Sequence, residues 1–134
     1  MPRKINEDKY GISNRRYHEL VNFCYQYKEW KWWLNTHSDT VTSQQIDGMP
    51  HGSGGHNEPT AMLAIKRQQL SDNCKMVEDT AREAGGELAK YLLKDVTDEN
   101  VAFRHLSLVM KMPCGKEKYY NIRRKFFWLL DKKR

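Results

Sequence analysis

The residues whose types best suit chemistry are Asn121 and Arg124, in the most basic part of the chain. Asn can form two hydrogen bonds with adenine, and Arg can form two with guanine. Residues 105–134 contain nine Lys or Arg and two acidic residues, whereas residues 1–104 have a net charge of −1. Concentrated positive charge attracts polyanions, and the usual polyanion for a small basic module is nucleic acid. The C-terminal segment therefore predicts DNA binding.

A helix predicted over residues 116–132 has an apolar face and a polar face. At about 100° per residue, a set of apolar side chains shares one side, which must pack inward. These side chains are Tyr119, Ile122, Phe126, Leu129 and Leu130. The predicted base-reading residues on the opposite side are Tyr120, Asn121 and Arg124. The predicted phosphate contacts, which would fix the register on DNA, are Lys111, Lys116, Lys118, Arg123 and Lys125.

A second helix is predicted just before the basic one, over residues 99–109, with Thr97 or Asp98 as its N-cap. A tight turn at residues 112–115 follows it. Two helices joined in this way have the spacing of a helix-turn-helix, which places its second helix in the major groove. The alternative is a basic face that only keeps the protein soluble. Phe127 and Trp128 lie outside the apolar stripe, so they either pack on the N-terminal helices or form a dimer contact.

The N-terminal part predicts two long helices. Ser13 offers an N-cap for a helix over residues 14–35, whose apolar residues recur every three or four positions. Trp30, Trp32 and Trp33 in that helix supply more aromatic surface than one seam needs, which suggests contact with another element or a second subunit. A helix over residues 58–84 has a heptad-like apolar seam.

Glycines mark the boundaries of these helices. Gly85 and Gly86 end the second long helix, and a shorter helix is predicted over 87–95. The fold class is therefore all-α, a long antiparallel helical hairpin plus a C-terminal helix-turn-helix. Three parts are predicted: a flexible N-terminus (1–12), the hairpin with its glycine-rich loop (36–57) and short connecting helix (13–96), and the helix-turn-helix (97–134).

The glycine-rich segment shows no pattern for catalysis. It lacks the Gly-Lys-Ser/Thr of a phosphate-binding loop, and His51 and His56 have no carboxylate or thiol partner at a convincing spacing. We therefore predict no catalytic residue, no metal site and no cofactor, and interpret the segment as a linker. The three cysteines are far apart and are expected to be reduced thiols. No apolar run approaches the ~20 residues of a membrane span, so no membrane association and a cytoplasmic location are predicted.

Several segments resemble a known family. They are Tyr17-His-Glu-Leu20, Tyr27-Lys-Glu-Trp30, the loop 47–55, Glu58-Pro-Thr60 and Arg123-Arg-Lys-Phe-Phe127. In this order the chain resembles small phage and prophage proteins of Gram-positive bacteria, including late-gene transcriptional regulators of the RinA and ArpU type. Those proteins end in a helix-turn-helix similar to region 4 of sigma factors. The resemblance covers about residues 15–134 and implies a DNA-binding regulator of phage promoters.

The expected partner is double-stranded DNA, and two further candidates are host RNA polymerase and a second copy of the chain, docked through the long helices. Two other functions stay open. The basic helix and the tryptophans could bind and inhibit or redirect a host protein, such as a polymerase subunit or a defence nuclease. A small DNA-packaging subunit would use the same helix-turn-helix within a ring.

Overall fold

The computed structural model describes residues 11–46 and 57–134, and for 38–46 and 57–59 it describes the backbone alone. Every regular element in these residues is helical, which confirms the all-α class. The helices are α1 (Asn14–Tyr25), α2 (Tyr27–Ile46), α3 (Asn57–Gly85), α4 (Ala89–Val96), α5 (Phe103–Leu108) and α6 (Lys116–Lys133). The predictions for residues 1–10 and for the glycine-rich segment 47–56 lie outside the described residues.

The helix boundaries that depend on local signals lie where the sequence predicts them. The Ser13 hydroxyl accepts a hydrogen bond from the Arg16 N–H at 3.2 Å and so caps α1. Gly85 ends α3, and Gly86 follows in the left-handed conformation, with φ of +55°. Helix α6 begins at Lys116, directly after Gly115.

Two predictions for the first long helix are wrong. The chain breaks at Gln26, where the N–H bonds to Phe23 O three residues earlier, so α1 and α2 replace the single helix predicted over 14–35. Helix α2 then continues to Ile46, into the first part of the predicted loop. Ile12, predicted to lie in the flexible N-terminus, is 2% exposed and belongs to the core.

Helix α6 packs on α3 and also contacts α1. The ring of Phe127 meets Tyr17 of α1 edge-on, with centroids 5.1 Å apart. Phe127 is fully buried, so it packs on an N-terminal helix and does not form the alternative dimer contact. Asp131 accepts a hydrogen bond from Arg16 at 2.6 Å, and Lys133 lies 3.1 Å from Glu83 of α3. These ion pairs stand at the rim of the apolar seam.

Helix α5 is shorter than predicted. It spans six residues and starts after Ala102, which has extended backbone and no capping side chain. The two residues predicted as its N-cap form other hydrogen bonds. The Thr97 hydroxyl donates to Leu93 O at 2.6 Å, and Asp98 accepts from the Asn100 N–H. Residues 97–102 therefore form a connector between α4 and α5. None of the helices in the described residues is both long and apolar enough to cross a membrane.

Candidate nucleic-acid interface

Helix α6 carries exposed lysines on its outer face and in its first turn. Lys116, Lys118, Lys125 and Lys132 are all exposed, and so is Lys111 in the preceding turn. Among the described residues, none of these five lysines forms an ion pair with an acidic side chain. Their charges are therefore available to a partner, apart from screening by salt.

Three of these lysines form a line that we call the basic strip: Lys118, Lys125 and Lys132. Residues seven apart on an α-helix lie on nearly the same side, about 10 Å apart along the axis. The Lys132 ammonium lies 3.4 Å from the centroid of the Trp128 ring, a cation–π contact. The strip thus combines three cations with one partly exposed aromatic ring.

Asn121 and Arg124, the predicted base readers, lie beside the basic strip and are both partly exposed. The Arg124 Nη1 group donates a hydrogen bond to Asn121 Oδ1. The Arg124 Nε atom is buried and has no partner among the described residues. A bidentate contact between Asn121 and adenine uses Oδ1 as well as the amide N–H, so it requires this pair to open.

Tyr120, the third predicted base reader, lies at the edge of the core. It is half-buried, and its ring stacks against Phe103 of α5 with centroids 6.3 Å apart. The neighbouring Tyr119 is fully buried and also contacts Phe103, at 5.9 Å. Helix α5 therefore rests on α6 through one aromatic ring.

Arg123 does not lie where the sequence predicts it. Its side chain is buried, at 6% exposure, with its guanidinium over the Phe127 ring at 4.9 Å. Its Nε donates to Asp95 Oδ2 at 3.3 Å, and its Nη1 donates to the Tyr17 hydroxyl at 2.5 Å. A guanidinium held by two buried partners is not a candidate phosphate contact, so this prediction is wrong.

The partners of Arg123 form a buried polar network: Tyr17, Asp95, Tyr119 and Arg123. Asp95 Oδ2 also accepts a hydrogen bond from the Tyr119 hydroxyl. Burial raises the pKa of Asp95, while the nearby Arg123 charge opposes that rise. Burial by itself lowers the pKa of Arg123, but Tyr17 and Asp95 raise it and their effect is larger. The guanidinium therefore stays charged inside the core.

One signal in the sequence could have found this network. The buried face of α6 contains Tyr119, Arg123, Phe126, Phe127 and Leu130. This face is rotated from the predicted one, in which Ile122 and Leu129 took the places of Arg123 and Phe127. Arg123 lies four residues from both Tyr119 and Phe127, so it is on the same helix side as two buried aromatic residues.

A second surface lies between α2 and α3. An open groove of about 580 Å³ is lined by three tryptophans, with Leu70, Lys66, Lys28 and Glu29 around them. Trp30 is buried, Trp33 stacks on His37 with centroids 4.2 Å apart, and Trp32 is 64% exposed. Met62 and Ile65 of α3 are also exposed. Exposed apolar side chains that lie together are typical of protein contact sites.

Within the described part of the chain, no three His, Cys, Asp or Glu side chains are close enough together to hold a metal ion. Compared with known proteins, the chain matches no family model, and no curated protein or solved structure is significantly similar to it. The surfaces described above are therefore the evidence that bears on function, and the resemblance to phage regulators stays a prediction.

Proposed function

We propose that this protein binds duplex DNA through the outer face of α6 and acts as a phage-type transcriptional regulator. The observation that carries the proposal is the basic strip, Lys118, Lys125 and Lys132, whose cations have no acidic partner among the described residues. Three aligned cations on one helix suit the phosphates along a groove, because phosphate contacts supply most of the sequence-independent affinity.

The start of α6 adds to this positive surface. No side chain caps the helix at Gly115, so the first backbone N–H groups are available to an anion. Lys116 and Lys118 stand in the same turn, and Lys111 lies just before it. The helix dipole and these lysines act together on a phosphate near the N-terminus.

We assign sequence reading to Asn121 and Arg124, and phosphate contact to Lys111, Lys116 and the basic strip. In this proposal, α5 and α6 act as the two helices of a helix-turn-helix. The contact between Phe103 and the tyrosines of α6 supports that assignment, because it ties the shorter helix to the longer one. In this proposal, Tyr120 both positions α5 and faces the groove of the bound DNA.

The test is a titration of fluorescent duplex DNA, repeated at several salt concentrations. Lys118→Ala should weaken binding to all sequences alike and reduce the slope of log affinity against log salt by about one unit. Lys125→Ala should do the same. Lys75→Ala is the matched control, because Lys75 is exposed on α3 and not on α6, and its loss changes the net charge equally.

An equal effect of all three substitutions would mean that net charge, and not the face of α6, determines affinity. Absence of duplex binding at about 150 mM salt would contradict the proposal outright and favour a protein partner for the basic helix. Selection of bound duplexes from random DNA would show whether one sequence is preferred, as a regulator requires.

A dimer is the second part of the proposal. The exposed Trp32, Met62 and Ile65 supply an apolar surface on α2 and α3, and a second copy docked there would place two α6 helices on a split DNA site. The contacts of Tyr27 with Glu78 and of Arg67 with His37 support an antiparallel pairing of α2 and α3. We expect the mass in solution to be that of a dimer, and Trp32→Ala to shift it towards the monomer.

A further inference from the structure

A small crevice opens beside the buried polar network. It lies where the ends of α1 and α4, the connector 97–102, the start of α5 and the side of α6 meet. Its volume is about 160 Å³. The side chains that matter to its chemistry are Tyr25, Asp95, Glu99, Phe103, Tyr120 and Arg123. None of them belongs to the basic strip, so the crevice is a separate feature of the molecule.

Two polar atoms of the network have no hydrogen-bond partner among the described residues. Asp95 accepts both of its hydrogen bonds through Oδ2, which leaves Oδ1 unused. Arg123 donates through Nε and Nη1, which leaves Nη2 unused. Both residues are more than nine-tenths buried. Asp95 Oδ1 and Arg123 Nη2 are nevertheless not completely shielded from solvent. The crevice that both residues line is the opening beside these two atoms.

The unused atoms form a complementary pair. Arg123 Nη2 can only donate hydrogen bonds and Asp95 Oδ1, on an ionised carboxylate, can only accept them. A ligand that satisfies both atoms must carry a donor next to an acceptor on one edge. The charges of Asp95 and Arg123 compensate each other, and Glu99 at the rim is exposed. The crevice thus favours a neutral group over a phosphate or another anion.

Size and walls restrict the ligand further. A cavity of roughly 150 Å³ is large enough to take up a benzene molecule, and this crevice is of similar size. Phe103 and Tyr120, which stack on each other with an angle of 30° between their planes, supply an aromatic wall. Flat rings stack well on such surfaces. Tyr25 adds a hydroxyl whose pKa is raised by burial.

We propose that this crevice binds a nucleobase-like ring, with Arg123 Nη2 donating to a ring acceptor and Asp95 Oδ1 accepting from an adjacent N–H. The ring has one of two sources, a free nucleoside or an unpaired base of a nucleic acid strand. Binding here does not require the basic strip, because the recognised group is an uncharged edge. It would join α4 to α6, and so would influence the position of the helix assigned to DNA.

The test uses the full chain and the four common ribonucleosides as probes, observed by saturation-transfer NMR and quantified by calorimetry. We expect at least one nucleoside to bind with a dissociation constant in the micromolar to millimolar range. A short single-stranded oligonucleotide containing the preferred base is then added. Displacement of the nucleoside identifies strand bases as a source, and lack of displacement restricts the site to free nucleosides.

Two substitutions test the location. Phe103→Leu keeps the apolar volume but removes the stacking ring, and should weaken binding about five-fold or more. Ala102 also lines the crevice, from an exposed position with extended backbone, so Ala102→Phe should fill the crevice and abolish binding at little cost to folding. Thermal unfolding of both variants checks that the fold is intact.

Lys125→Ala separates this inference from the proposed function. It should weaken duplex binding yet leave nucleoside affinity unchanged. The inference is overturned if no nucleoside binds the native protein, or if a folded Ala102→Phe variant binds nucleosides as well as the native chain. A loss of nucleoside affinity in Lys125→Ala as large as its loss of duplex affinity would also overturn the inference, because the nucleoside would then bind at the basic strip.

Discussion

The inner and outer faces of α6 use the same residue types for different purposes. Arg123 and Arg124 are neighbours in sequence, but the first is buried against Asp95 and Tyr17, whereas the second lies partly exposed and, among the described residues, forms its hydrogen bond with Asn121. One step along an α-helix turns the side chain by about 100°. The basic residues of a helix should therefore be sorted by the helix face on which they lie before their charge is assigned to a partner.

The two faces also differ in how their charges are compensated. On the inner face, α1 and α4 supply a hydroxyl and a carboxylate to Arg123. On the outer face, no acidic side chain of the described residues pairs with Lys118, Lys125 or Lys132, and the Lys132 ammonium contacts the uncharged ring of Trp128 in a cation–π interaction. A buried ion pair contributes little to net stability compared with an apolar substitute, but removal of one partner is costly because the other is left unpaired. Truncation of a side chain should therefore cost much stability on the inner face and little on the outer face.

The largest effect is expected from Arg123→Ala. Loss of the guanidinium leaves Asp95 buried without its counter-ion and removes the bond to Tyr17, so the free energy of unfolding should fall by about 3–5 kcal/mol. Lys125→Ala on the outer face should change it by no more than about 0.5 kcal/mol. Urea unfolding of both variants, followed by tryptophan fluorescence, measures the difference.

Asp95→Asn in the Arg123→Ala background is the control for this assignment. If the loss comes from an unpaired carboxylate, the second substitution should recover part of the stability. A loss below about 1 kcal/mol for Arg123→Ala would show that the network does not hold α6 in place, and the contrast between the two faces would disappear.

Local signals in the sequence predicted the helices more successfully than the contacts between them. Ser13, Gly85 and Gly115 determine boundaries through their own backbone and side-chain chemistry, so they can be recognised without a structure. The break at Gln26 has no such signal, because no glycine or proline is near it. It coincides with the packing of Phe23 on Trp30, whose ring centroids are 4.9 Å apart.

The candidate site shows the same division. The exposure of Lys118 and Lys125 follows from the helical period alone. The burial of Arg123 depends on Asp95 and Tyr17, which are 28 and 106 residues away in sequence. Periodicity treats every arginine as a polar residue, so it cannot predict that a partner from another helix will neutralise one. The crevice beside Arg123 could not be predicted from the sequence for the same reason.

Tyr17→Phe is expected to have an intermediate effect. It removes one hydroxyl from the network and keeps the ring that packs edge-on against Phe127. A hydrogen bond to a charged group is worth about 1.5–3 kcal/mol, and the free energy of unfolding should fall by that amount. Tyr91→Phe is the matched control, since Tyr91 is also buried but has no bond to Arg123. Equal losses in both variants would assign the effect to packing.

Arg124→Ala probes the outer face at the position next to Arg123. Its expected effect is a loss of about 1–3 kcal/mol of discrimination between the preferred DNA site and a site with one changed base pair. Stability should stay within about 0.5 kcal/mol of the native value, because the side chain bonds only to Asn121. Competition binding with the two duplexes measures the discrimination. An unchanged ratio would remove Arg124 from the base-reading residues.

The smallest effect concerns pH, and it compares two acids three residues apart. The pKa of Asp98 is lowered, first by its hydrogen bond with Lys28, at 2.6 Å, and then by the Asn100 N–H. Its stabilising contribution is therefore present above the usual value of 3.8 and is lost as the pH falls through the lower, folded-state value. Asp95 has the opposite shift, because burial raises its pKa.

As the pH rises above 3.8, the unfolded chain releases the Asp95 proton before the folded chain does, so stability decreases through that window. Unfolding free energies of the native chain, Asp98→Asn and Asp95→Asn should be measured from pH 7 down to about pH 2. Towards low pH, the native chain should lose the excess of unfolding free energy that it has over Asp98→Asn. Its unfolding free energy relative to that of Asp95→Asn should instead rise. Parallel curves for the two variants would mean that Asp95 is as well solvated as Asp98, and the inner face of α6 would then lack the buried charge that distinguishes it from the outer one.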